Sequence, residues 1–90
     1  MIVLFLFMLV AMPVSSNTGT LLVVNKSDNT VSMLDLATAQ SIAVLRTGNG
    51  PHEVAVSPDG TTAVVSNYGP ASKPGNSLTV IDITSAEVVN

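Results

Sequence analysis

The chain has 90 residues, 47% of them hydrophobic, no cysteine and a formal net charge of −3, which fits one domain at most. Its cations are Lys26, Arg46 and Lys73, spread far apart, so no basic cluster exists to bind nucleic acid or an anionic membrane surface. Without cysteine, disulfides, thiolate metal sites and a lipid anchor on cysteine are excluded.

Residues 1–12 carry no polar or charged side chain and are followed by Pro13, Val14, Ser15 and Ser16. That length suits the apolar core of a signal peptide and falls short of the roughly 20 residues that span a bilayer. The expectation is a leader over 1–16, cleaved before Asn17, an extracytoplasmic (periplasmic or secreted) product and no stable membrane span. No Lys or Arg precedes the apolar run, which departs from the usual leader pattern.

From residue 20 the pattern is that of strands. Short runs rich in β-branched residues alternate with Asn, Asp, Gly and Pro, and no stretch sustains a helical period. Strands are predicted at 20–25, 30–36, 40–46, 53–57, 62–67 and 77–83, with a seventh starting near Glu87. The fold class is therefore all-β.

The chain also repeats. Leu-Leu-Val-Val-Asn at 21–25 matches Ala-Val-Val-Ser-Asn at 63–67, a shift of 42 residues, which is the size of a propeller blade. Residues 29–36 match 76–83 at a shift of 47, with apolar residues in the same four slots and Asp35 and Asp82 in the same gap. The five additional residues of the second copy fall at 68–75, where a loop absorbs them. The repeats run over about 20–61 and 62–90.

These copies resemble the YVTN-type β-propeller repeat. Its V-x-N strand end stands here at 23–25, its N-T-V-S-V-I-D-like strand at 29–35, its G-x-x-P-H at 48–52 and its S-P-D-G at 57–60. The aromatic that opens the name motif is replaced by Leu22 and Val64, and its Thr by Val24 and Ser66, swaps that keep strand preference. The resemblance implies β-propeller blades over 17–90, about two four-stranded antiparallel blades of an incomplete ring. It places segment 51–56 innermost, then the Val64 strand, the Leu78 strand and an outer strand. No innermost strand for the first blade is evident. Propellers close with about 4 to 8 such blades, so the rest of a ring is expected from further blades of a longer chain or from other copies.

In an antiparallel meander alternate connections share an end. Loops 25–29, 47–52 and 67–76 are predicted at one end, with loops 37–39, 58–61 and 84–86 at the other. The first end carries the candidate binding residues His52, Glu53, Asn67 and Tyr68. His52 is the sole histidine and offers a ligand or general base, but Pro-His belongs to the repeat itself, which favours His52 as the residue that orders the loop entering the innermost strand. Glu53 is either a channel-lining carboxylate or a solvated residue at a strand start. Two such residues do not make a metal site, and no catalytic residue or cofactor is assigned. Asp35 and Asp82 read as turn starters, and Asp59 belongs to the Pro-Asp-Gly turn. Gly-Asn-Gly at 48–50 leads into a strand and has no helix to make it a phosphate loop. The expected function is an exported scaffold for an unknown small ligand or protein. The alternative is part of a propeller enzyme, lactonase-like or of the dehydrogenase type, with its site at the axial end.

Overall fold

The computed structural model describes residues 18–90, so the leader expected over 1–16 lies outside the described residues. Seven strands follow in order: β1 (Thr20–Asn25), β2 (Thr30–Asp35), β3 (Ser41–Arg46), β4 (Pro51–Val56), β5 (Thr62–Asn67), β6 (Ser77–Asp82) and β7 (Glu87–Val88). They form a three-stranded sheet β1-β2-β3 and a four-stranded sheet β4-β5-β6-β7. Every pair of neighbours is antiparallel. These are the blade meanders expected from the sequence, with β4 at one edge of its sheet and β1 at the free edge of the other.

Strand ends follow from local chemistry. The Asp35 carboxylate accepts from the Ala37 N–H at 2.8 Å and the Asp82 carboxylate from the Thr84 N–H at 2.9 Å. These Asx turns bend the chain out of the sheet, so β2 and β6 each end one residue earlier than predicted. Between β1 and β2 a single 3₁₀ turn over Lys26–Asp28 ends at Asn29, which adopts the left-handed conformation at φ 56, a region Asn tolerates.

The register repeats with the sequence. Leu22 lies opposite Met33 and Val24 opposite Val31 in the first sheet, while Val64 lies opposite Val80 and Ser66 opposite Leu78 in the second. Strand side chains alternate between faces, and the two sheets stack with unlike faces together. The first sheet turns Val31 and Met33 inward, and the second turns Ala63, Val65 and Ile81 toward them. These five side chains are fully buried, and Leu22, Val24, Ala43, Leu45 and Val54 pack around them. Burying a side chain of this kind contributes about 1.5–3 kcal/mol, so this one seam joins the two sheets.

Candidate functional site

Backbone hydrogen bonds gather the three predicted loops at one end. Asn29 holds the segment that links the sheets, its carbonyl accepting from Thr47 N–H and its side-chain oxygen from Gly50 N–H, both at 2.9 Å. That segment in turn holds the loop after β5. Tyr68 N–H donates to the Gly50 carbonyl and Gly69 N–H to the Asn49 carbonyl, again at 2.9 Å. Gly50 has φ +59, and a Cβ there would lie 2.8 Å from the Gly69 nitrogen, so only glycine lets the backbones meet.

The β4–β5 register shifts between Pro51 and Glu53, leaving His52 as an additional residue on β4. Such bulges re-aim a side chain. Here His52 is turned onto Tyr68, the two rings stacking with centroids 4.7 Å apart and planes 7° from parallel. The Tyr68 hydroxyl donates to Glu53 Oε2 at 3.2 Å. The phenol is held above its ordinary pKa by that hydrogen bond and by the negative charge of Glu53. His52, Glu53 and Tyr68 are all exposed. The structure thus joins three of the four candidate residues into one exposed cluster, a stacked ring pair whose phenol is bonded to a carboxylate.

Asn67 stands apart from them. It is 3% exposed, and its Nδ2 donates to Ser77 Oγ and Thr79 Oγ1, both at 3.0 Å. Gly48 sits over this amide, because a Cβ on Gly48 would come within 2.6 Å of Asn67 Nδ2, and Gly48 N–H donates to Thr79 Oγ1 at 3.3 Å. Asn67 therefore anchors the segment that places His52, while its Oδ1 is buried without a hydrogen-bond partner. The first sheet repeats the clamp: Asn25 Nδ2 donates to Thr30 Oγ1 at 3.1 Å and Ser32 Oγ at 2.8 Å.

At the opposite end Asp59 accepts from the Ser57 hydroxyl at 2.6 Å, the Thr61 N–H at 3.1 Å and the Thr61 hydroxyl at 2.8 Å. Its carboxyl is held below the usual range, first by Ser57 and then by Thr61. Asp82 is lowered likewise, first by the Thr84 hydroxyl and then by the Ser85 N–H. Their oxygens are engaged in turns. Among the described residues no group of three or more His, Cys, Asp or Glu side chains is placed to hold a metal, and no helix is long and apolar enough to cross a membrane.

Sequence reasoning missed the bulge at His52 and the roles of Asn29 and Gly48. The signal for Gly48 was the Gly-x-Gly spacing before Pro51, which marks close backbone approach as readily as anion binding.

The fold defines the class as β-propeller blades, stacked face to face. Comparison with solved structures finds the hydrazine synthase of Kuenenia stuttgartiensis, a protein that contains β-propellers. It is 34% identical with a TM-score of 0.71 over 79% of this chain, and the match spans 19% of that chain's length. No protein-family model matches the chain, and no curated protein matches it either.

Proposed function

We propose that the chain is part of an exported YVTN-type β-propeller that serves as a binding scaffold. In this reading a small ligand or protein partner docks at the loop end on His52, Tyr68 and Glu53. The observation that carries it is the parallel His52–Tyr68 stack with Glu53 at its edge. Exposed aromatic faces bind flat rings and cations, and an exposed carboxylate adds preference for a positive group. Repeat motifs at 23–25, 29–35, 48–52 and 57–60 support the YVTN type, and the apolar residues 1–12 support export.

Tryptamine, a flat ring bearing an ammonium group, is a suitable probe for proton NMR titration of the purified chain. Binding is expected to shift the His52 and Tyr68 ring signals. Tyr68→Ala is expected to weaken binding about tenfold, the equivalent of losing about 1.4 kcal/mol, and Glu53→Gln to weaken it less. Shifts confined to other residues, or undiminished binding by Tyr68→Ala, refute the reading. Export is tested separately by intact mass: a product beginning at Asn17 supports it, and a secreted product retaining 1–16 contradicts leader cleavage.

A second reading makes these blades part of an enzyme. It draws on the matched chain being named a synthase, with His52 and Glu53 working beside side chains from other blades. A ligand bound at this end and released unchanged by the assembled protein speaks against it.

A further inference from the structure

The Gly-Asn-Gly run at 48–50, which makes no phosphate loop, places chemistry of another kind in the chain. Asn49 precedes Gly50, and Asn-Gly occurs nowhere else in the sequence. An asparagine side chain is a thermolabile group because the next backbone nitrogen can attack its amide carbon, and a following glycine has no side chain to hinder the approach. Here the attack runs from the Gly50 nitrogen to Asn49 Cγ. The nitrogen loses its proton as the N–Cγ bond forms, the Cγ–Nδ2 bond breaks, and Nδ2 leaves as ammonia with that proton. Water then opens the cyclic imide at either carbonyl, leaving aspartate or isoaspartate at 49. Asn49 is exposed, so water reaches it and ammonia leaves freely.

We propose that Asn49 is a latent deamidation site, held shut by Asn29. Attack requires the peptide unit between Asn49 and Gly50 to turn its nitrogen toward Cγ and to release the N–H proton. Both ends of that unit are held. The Asn49 carbonyl accepts from Gly69 N–H at 2.9 Å, and Gly50 N–H donates to Asn29 Oδ1, also at 2.9 Å. The second bond engages the very proton that must leave. Asn29 is itself fixed, in the left-handed conformation at φ 56 with its carbonyl accepting from Thr47 N–H, and Gly50 is buried at φ +59. Deamidation is therefore slow in the closed loop and proceeds when the loop opens locally. Either product puts a carboxylate at 49, in the segment that leads into His52. Isoaspartate also lengthens the main chain beside its contact with Gly69, the residue after Tyr68. The proposal does not depend on what His52 and Tyr68 bind.

The test follows Asn49 by peptide-mapping mass spectrometry of the full chain incubated in mildly alkaline buffer, with the same chain in guanidinium chloride as the unheld reference. Asn29→Gly removes Oδ1 while keeping the carbonyl and tolerating positive φ. Asn29→Asp restores an acceptor at the same place and also tolerates that conformation. Loss of one hydrogen bond of ordinary strength predicts deamidation of Asn49 about two- to tenfold faster in Asn29→Gly than in the parent, with Asn29→Asp close to the parent. Asn76, which precedes Ser77, is the control and should keep its rate in both variants. The proposal is overturned if the folded parent modifies Asn49 as fast as the denatured chain, or if Asn29→Gly is no faster than the parent. It is equally overturned if Asn29→Asp matches Asn29→Gly, or if Asn76 accelerates in step with Asn49, because the side-chain oxygen is then not the restraint. The comparison of folded with denatured parent stands even where Asn29→Gly does not fold. Failure here leaves the tryptamine titration at His52 and Tyr68 untouched, so the two readings fail separately.

Discussion

Truncating Val65 to Ala tests the seam between the sheets. Val65 is fully buried in β5 beside Met33 and Ile81. The change removes two methyl groups, about 1.6 kcal/mol of transfer free energy at roughly 0.8 kcal/mol per buried carbon. The cavity left behind adds to this, for a total of about 2–3 kcal/mol, a large share of the stability of a domain this small. Val64 is the control: same strand, same chemistry, opposite and uncovered face. Val64→Ala is expected to cost no more than about 0.5 kcal/mol. The assay is urea unfolding followed by far-UV circular dichroism, at protein concentrations low enough to keep copies apart. The midpoint should fall for Val65→Ala with an unchanged slope. Equal losses, or a greater loss for Val64→Ala, refute the reasoning, because a one-residue slip of register exchanges the two faces.

Three further outcomes follow from the loops. Gly48→Ala forces a Cβ against Asn67 Nδ2 at 2.6 Å and Ser77 Oγ at 2.8 Å, and is expected to cost about 1–3 kcal/mol; an unchanged thermal midpoint contradicts this packing. The phenol of Tyr68, the sole tyrosine, is raised by Glu53, so the folded chain favours the protonated form. The contribution of this contact is present below the ordinary tyrosine pKa of about 10 and is lost as pH rises through the raised value. Tyrosinate absorbance should show the midpoint moving down in Glu53→Gln, and no movement removes the contact from the account. The Asp59 carboxyl is lowered, so its contribution is present above the unfolded aspartate pKa of about 3.9 and is lost as pH falls through the folded value. Carboxyl carbon NMR should show Ser57→Ala raising that value, and an unshifted titration counts against the turn network.

All seven strands were legible because β-branched runs and turn residues mark them without tertiary help. Asp35, Asp59 and Asp82 were legible as turn residues for the same reason, since their partners lie within three positions in sequence. The grouping of the loops followed from meander topology, which brought His52, Glu53 and Tyr68 to one end on paper. Their mutual geometry was not legible. The bulge at His52 depends on how β4 pairs with β5, and the His52–Tyr68 stack spans two loops held by Gly50 and Asn49. Asn67 shows the same limit. Its repeat position placed it at the right end, but strand alternation turns its amide beneath Gly48, away from the aromatic surface. Which faces are buried was legible only in part, since both faces of both sheets carry some apolar residues. The structure selects Val31–Met33 against Val65–Ile81.

The central claim is that two blades stack through Val31 and Met33 on one sheet and Ala63, Val65 and Ile81 on the other. Methyl-resolved nuclear Overhauser spectroscopy on the full chain measures that contact directly. The account predicts cross-peaks from the Met33 methyl to methyl groups of Val65 or Ile81 that persist on dilution. Two sheets that each keep their strand pairing but show no cross-peak between Met33 and the second sheet contradict it.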